Sequence, residues 1–147
     1  MADNKIIVFP TDFSKLSLAA LPWVRRMAQS LGCPVHCVFV VEEPQMYAAL
    51  DMGPVTLPSP KELAEQAKTR LDASIAEHMR DVPGATGVVL IGRPAQEITD
   101  YAAKHGAELI IMTTHGYSGI RHVLLGSTTE AVLRQAPCPV LSVRSEE

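Results

Sequence analysis

Near its start the chain reads Lys5-Ile6-Ile7-Val8-Phe9, a continuous apolar run that ends at Pro10. A half-exposed strand alternates apolar and polar residues, whereas an uninterrupted run is typical of a parallel strand that is covered on both faces. We therefore predict that the chain begins with a buried strand of a parallel sheet. Helices that cover both faces of this sheet should follow along the chain.

Four further strands and four helices are predicted from the spacing of apolar residues. The strands span residues 35–41, 87–91, 108–113 and 139–143, and the helices span residues 17–31, 60–80, 94–106 and 127–135. Pro22 should kink the first turns of the first helix, because proline has no backbone N–H, and we place the helix boundary there. Ser59 and Glu62 have the spacing of a capping box and predict the start of the second helix.

The order β-α-β-α-β-α-β-α-β predicts an α/β fold with right-handed crossovers. We expect a doubly wound (Rossmann-like), five-stranded, mostly parallel sheet with helices on both faces, and a single domain over residues 1–147. Ligands of such folds bind outside the carboxyl ends of the strands, where the strand order reverses. The turn after Phe9 and the segment after Met112 are therefore the places where a site is expected.

Composition limits the classes of partner. The 147 residues are 47% hydrophobic, and 13 Lys and Arg against 16 Asp and Glu give a net charge of −3 with no basic run. A nucleic-acid partner is therefore not expected. No signal peptide is recognisable, and no apolar run approaches the roughly 18 residues of a membrane span. We expect a cytoplasmic protein without a membrane partner.

The cysteines fit a reducing compartment. Cys33, Cys37 and Cys138 are odd in number and lie beside or within apolar segments, so they do not form a disulfide framework. Cys33 and Cys37 flank His36, but alternation along a strand sends His36 and Cys37 to opposite faces. A structural zinc site needs four convergent ligands, and we therefore predict no metal site here.

The first candidate site is the turn Pro10-Thr11-Asp12-Phe13-Ser14 after the first strand. Neither G-x-G-x-x-G nor G-x4-G-K-[ST] occurs, which excludes the common dinucleotide and P-loop motifs. Asp12 stands at the carboxyl end of a strand and could accept hydrogen bonds from ribose hydroxyls. The alternative is that Thr11, Asp12 or Ser14 satisfies backbone donors of the turn.

The second candidate site follows the fourth strand, where Gly126 precedes the last predicted helix. The N–H groups of a helix N-terminus and the helix dipole favour an anion such as phosphate, and Ser127 and Thr128 add hydroxyl donors. The alternative is a capping box with Ser127 as N-cap and Glu130 at the third helical position. His115 has no nearby carboxylate in sequence, so we predict that it positions phosphate or the turn and that no residue is catalytic.

Taken together, these motifs resemble the universal stress protein family over the whole chain. The resemblance is carried by the P-T-D-F-S turn, Gly92-Arg93-Pro94-Ala95, Thr114-His115-Gly116, Leu125-Gly126-Ser127 and Ala136-Pro137-Cys138-Pro139-Val140. Nucleotide-binding members carry G-x2-G-x9-G-[ST]. Gly116, Gly126 and Ser127 match its second half, and Thr113 replaces its first glycine.

The resemblance implies binding of ATP, or of AMP, with a divalent cation such as Mg²⁺. Gly116, Gly126 and Ser127 would contact phosphates, Asp12 the ribose, and the backbone of Val40 the adenine. With the neighbouring residues of both candidate sites, the full set of predicted nucleotide-binding residues is Pro10, Thr11, Asp12, Val40, Met112, Thr113, His115, Gly116, Gly126, Ser127 and Thr128.

The resemblance further implies a homodimer built on the last strand and a nucleotide-dependent regulatory role in stress response, exerted on a protein partner that the sequence does not identify. One alternative is slow ATP hydrolysis or self-phosphorylation on Ser118 or Ser127, which lacks an evident general base and a lysine clamp. Another is a nucleotide-free dimeric scaffold, which Thr113 favours.

Residues 42–59 form an unusually long loop, and we expect nucleotide or dimerisation to order it.

Overall fold

The computed structural model describes residues 5–12, 14–42, 58–114 and 125–144. The helices are α1 (Lys15–Leu18), α2 (Leu21–Leu31), α3 (Pro60–His78), α4 (Pro94–Lys104) and α5 (Ser127–Gln135). The strands are β1 (Ile6–Pro10), β2 (Val35–Glu42), β3 (Thr86–Gly92), β4 (Ala107–Thr113) and β5 (Val140–Val143). The predicted loop of residues 42–59 lies mostly outside the described residues.

The strands form one five-stranded sheet in the order β3-β2-β1-β4-β5, and all the pairings are parallel. From β1 the chain first moves outward to β2 and β3, and then crosses to β4 on the other side of β1. The strand order therefore reverses between β1 and β4, which is where a ligand site is expected. The predicted doubly wound α/β fold is confirmed.

Two apolar clusters lie on opposite faces of the sheet. One joins Ile7 and Phe9 of β1 to α2 and α3, and the other joins Ile6 and Val8 to α4 and α5. Ile7 and Val8 are both 0% exposed. Both faces of β1 are therefore covered, which confirms the prediction made from its uninterrupted apolar run.

The first predicted helix is divided into α1 and α2, so the boundary predicted at Pro22 is confirmed, whereas a single helix over residues 17–31 is not found. Ser14 caps α1, since its Oγ accepts from the Ser17 N–H at 3.1 Å. Pro22 stands in the first turn of α2, where a backbone N–H has no intrahelical partner in any case. The proline therefore begins a new helix.

The predicted capping box of α3 is confirmed. Ser59 Oγ accepts from the Glu62 N–H at 3.1 Å, and Glu62 Oε2 accepts from the Ser59 N–H at 3.3 Å. The helix ends at His78. The ends of the predicted strands agree with β2 to β5 within one residue.

His36 and Cys37 face opposite sides of the sheet, as predicted. His36 Nδ1 lies 2.7 Å from the Tyr101 hydroxyl on α4, whereas the Cys37 thiol is buried against Met79 beyond the end of α3. Burial raises the pKa of Cys37 to about 12, so it stays a protonated thiol. Within the described ranges, no helix is both long and apolar enough to cross a membrane.

Candidate functional site

A cavity of about 500 Å³ opens at the carboxyl end of the sheet. Its walls come from the ends of β1, β2 and β4, from the first turns of α4 and α5, and from the turn that follows β1. Every predicted site residue that the structure describes lines it, namely Pro10, Thr11, Asp12, Val40, Met112, Thr113, Gly126, Ser127 and Thr128. The other predicted residues, His115 and Gly116, lie outside the described residues.

The turn after β1 is held by its own side chains. Asp12 Oδ1 accepts hydrogen bonds from the N–H and the hydroxyl of Ser14, and the hydroxyls of Thr11 and Ser17 lie 3.0 Å apart. The Thr11 N–H donates to the Val38 carbonyl at 2.9 Å, which ties the turn to β2. Asp12 therefore satisfies donors of the turn, as the alternative interpretation expected, and also lines the cavity.

The start of α5 differs from the predicted capping box. Gly126 is the N-cap, with φ −67° and ψ 158°, and the Glu130 N–H donates to its carbonyl at 3.0 Å. Ser127 is already the first helical residue and is exposed, so its hydroxyl has no capping role. The N–H groups of the first turn of a helix have no intrahelical acceptor. Those of Ser127, Thr128 and Thr129 therefore form a potential anion site at the cavity.

Two hydrogen bonds join the first turn of α5 to the end of β4. The Gly126 N–H donates to the Thr114 carbonyl at 2.7 Å, and Thr129 Oγ1 donates to the Thr113 carbonyl at 2.9 Å. Thr129 is 3% exposed, so this second bond is shielded from water. The position of the helix start relative to the strand is therefore set by direct contacts.

Thr113, which stands where the nucleotide-binding motif has glycine, lies on the α2 and α3 side of the sheet. Successive strand residues face opposite sides. Ile111 packs in the cluster with α2 and α3, and Met112 packs in the cluster with α4 and α5. Thr113 therefore shares the side of Ile111, and its side chain is directed away from α5.

The lining includes both apolar and acidic side chains. Val38, Val40, Ile98 and Met112 supply apolar surface, whereas Asp12 and Glu42 supply carboxylates. Among the described residues that line the cavity, none is Lys or Arg. Among these described residues, the groups suited to negative charge on a ligand are the backbone N–H groups and the dipole of α5.

The sequence analysis missed several lining residues, namely Ser17, Val38, Phe39, Glu42, Pro94, Ile98 and Thr129. Pro94 could have been found, since it belongs to the Gly92-Arg93-Pro94-Ala95 motif that follows β3. No sequence motif pointed to Thr129, because its hydroxyl bonds to the Thr113 carbonyl, which belongs to another element.

Comparisons with known proteins agree with this architecture. The pattern of the universal stress protein family matches residues 3–144. Universal stress protein MJ0531 of Methanocaldococcus jannaschii is 34% identical over 142 residues, which cover 95% of this chain and 82% of the relative. The solved structure of MJ0577 from the same organism is similar with a TM-score of 0.81, at 28% identity over 99% of each chain.

A universal stress protein from Archaeoglobus fulgidus, solved in complex with dAMP, has the same fold. Its TM-score is 0.69 at 20% identity, over 96% of this chain and 98% of its own.

Proposed function

The chain belongs to the universal stress protein family, and from that premise we propose that it binds an adenine nucleotide in the cavity at the carboxyl ends of β1, β2 and β4. The observation that carries this proposal is the convergence of Asp12, Val40 and the start of α5 on one cavity of about 500 Å³. This volume falls within the usual range for small-molecule sites, roughly 300–1,000 Å³.

The proposed roles follow from the kinds of residue that line the cavity. The phosphates accept hydrogen bonds from the N–H groups of the first turn of α5 and from the Ser127 and Thr128 hydroxyls, beside Gly126. Asp12 accepts from a ribose hydroxyl. The adenine lies against apolar side chains of the cavity and bonds to the backbone of Val40. Gly116 and His115 are proposed to contact the phosphates as well.

We propose ATP with a divalent cation such as Mg²⁺ as the ligand, and AMP as the weaker alternative. The dAMP complex of the Archaeoglobus fulgidus protein supports an adenine nucleotide. Asp12 and Glu42 bring negative charge into the cavity, so a triphosphate needs a cation to offset its own charge. Oxygen ligands from phosphates and water suit Mg²⁺.

The alternative of a nucleotide-free scaffold rests on Thr113, whose β-branched side chain could crowd the sugar or the phosphates. Thr113 lines the cavity from the side of the sheet opposite α5. The first turn of α5, which supplies the proposed anion site, lies on the other side, and we therefore rank nucleotide binding above the scaffold.

We further propose a homodimer through β5 whose stability depends on the bound nucleotide. β5 is an edge strand that pairs with β4 alone within the described chain. Thr114 connects this edge to the cavity, because its N–H donates to the Val143 carbonyl at 2.9 Å and its carbonyl accepts from the Gly126 N–H at 2.7 Å. A nucleotide that stabilises the start of α5 would thus stabilise the end of β5.

Nucleotide binding is tested first on the wild-type chain. Small molecules released from the purified protein are identified by mass spectrometry, and Mg²⁺·ATP and AMP are titrated by calorimetry. We expect an adenine nucleotide at close to one per chain, or saturable ATP binding by the nucleotide-free protein. A folded wild-type chain that neither carries nor binds an adenine nucleotide overturns the proposal.

The site is tested with Gly126→Asn. The N-cap backbone is in the extended region that any residue adopts, and an asparagine there would accept from the N–H groups that the phosphates need. We expect the free energy of unfolding to be unchanged or raised by a few tenths of a kcal/mol, and ATP affinity to fall at least about tenfold. Gly32→Asn, at the left-handed C-cap of α2, is the matched control and should leave ATP affinity unchanged.

A further inference from the structure

Thr129 uses its hydroxyl differently from the other helical threonines whose bonds are described. Thr69 donates to the Glu65 carbonyl at 3.1 Å, and Thr99 donates to the Ala95 carbonyl at 3.0 Å, each within its own helix. Thr129 Oγ1 donates instead to the Thr113 carbonyl on β4, at 2.9 Å. The hydroxyl therefore links two elements, and the bond is buried.

The bond acts together with the one from the Gly126 N–H to the Thr114 carbonyl. Residues 126 and 129 are separated by about one helical turn, and they bond to successive carbonyls at the end of β4. One attachment alone would allow the helix start to pivot, whereas two attachments set its direction as well. Ser127 and Thr128, which line the cavity, lie between the two attachment points.

From this arrangement we infer that Thr129 is a positioning residue for phosphate: it holds the first turn of α5 so that the N–H groups face the cavity. Preorganised donors bind an anion more tightly than donors that must first be ordered. Removing the hydroxyl should therefore weaken binding of the phosphate groups and leave binding of the nucleoside unchanged. The inference rests on the proposed nucleotide binding and assigns a role to the Thr129 hydroxyl, which bonds to β4 and not to the ligand.

The test compares Thr129→Val with Thr99→Val in the full chain. Both substitutions remove a hydroxyl of nearly the same burial, since Thr129 is 3% and Thr99 is 5% exposed, but only the first breaks a bond between elements. Affinities for Mg²⁺·ATP, AMP and adenosine are measured by calorimetry. For Thr129→Val we expect about a tenfold loss for ATP and AMP and no change for adenosine. Thr99→Val should match the wild type for all three ligands.

Thr129→Ser keeps the hydroxyl and should recover ATP affinity to within about threefold of the wild type. If Thr129→Val does not fold, Thr129→Ala makes the same test, because it removes the hydroxyl with less volume.

Unchanged ATP affinity in a folded variant without the hydroxyl would overturn the inference and leave the proposed nucleotide binding intact. Equal weakening of ATP and adenosine would also overturn it, since a general loosening of the cavity has that effect. A wild-type chain that binds none of the three ligands overturns the proposed function and this inference together.

Discussion

The role of the Ser127 hydroxyl depends on which residue caps α5. As an N-cap its hydroxyl would hold the helix, and losing it would destabilise the fold by about 0.5–2 kcal/mol. Gly126 occupies the N-cap instead, and Ser127 is an exposed first residue of α5. Its hydroxyl is therefore available to a ligand at the cavity that it lines.

Ser127→Ala should accordingly separate stability from binding. We expect the free energy of unfolding to change by less than about 0.5 kcal/mol, because no capping bond is lost. ATP binding should weaken by about 1.5–3 kcal/mol, since a hydrogen bond to a charged phosphate is lost. Denaturant titration and calorimetry measure the two quantities. Ser30→Ala, at an exposed position of α2, is the control, and equal ATP affinities in the two variants would contradict the assigned contact.

At the scale of elements, the packing of β2 on α4 includes a titratable contact. The His36 ring is half-buried, its Nδ1 lies 2.7 Å from the Tyr101 hydroxyl, and the His105 ring stacks on Tyr101 with centroids 4.1 Å apart. Desolvation by burial, and then the charge of His105, hold the pKa of His36 below its ordinary value of 6.5. The folded state therefore favours the neutral imidazole.

This shift predicts a loss of stability in acid. As the pH falls below about 6.5, the unfolded chain binds a proton at His36 that the folded chain resists, so the free energy of unfolding decreases until the lower, folded-state pKa is passed. Histidine titrates roughly between pH 5 and pH 8, so denaturant titrations should cover this range. As the pH falls across it, the free energy of unfolding should decrease less for His36→Gln than for the wild type. His78→Gln, on α3, is the control, and parallel curves for wild type and His36→Gln would refute the prediction.

At the scale of the whole molecule, the direction of the backbone groups on β5 identifies the residues that can pair with a second copy. The Ile110 N–H donates to the Pro139 carbonyl at 3.0 Å and the Thr114 N–H to the Val143 carbonyl at 2.9 Å, so residues 139, 141 and 143 face β4. Alternate residues of a strand direct these groups to opposite sides. Val140 and Ser142 therefore present the outward N–H and carbonyl groups that an edge-to-edge dimer would use.

Ser142→Pro should yield a monomer, because it removes an outward N–H and leaves the bonds to β4 in place. Ser142→Ala keeps the N–H and should remain a dimer of at least wild-type stability, since the buried Ser142 hydroxyl has no hydrogen-bond partner in the described part of the chain. Light scattering and sedimentation measure the mass with and without ATP. Adding ATP should tighten the wild-type dimer, since binding and association are linked reciprocally. If folded Ser142→Pro remains dimeric, β5 is not the interface.

Much of the fold could be predicted because the physics that specifies it is local. The apolar run of β1 and the capping box at Ser59 and Glu62 each depend on residues that adjoin in sequence, and both predictions are confirmed. Pro22 also acts locally, but whether it kinks one helix or begins another depends on the bonds around it. The Trp23 and Val24 N–H groups both donate to the Ala20 carbonyl, and α2 begins there.

The sequence by itself determined the class of fold and the end of the sheet where a site would lie, because the alternation of strands and helices allows few arrangements and ligands of such folds bind at strand ends. Only the tertiary structure decided that Thr129 is tied to Thr113, that Glu42 joins Asp12 at the cavity, and that the side chain of Thr113 is directed away from α5. These relations join residues far apart in the chain. They depend on which strands become neighbours and in which register, and no short stretch of sequence encodes either.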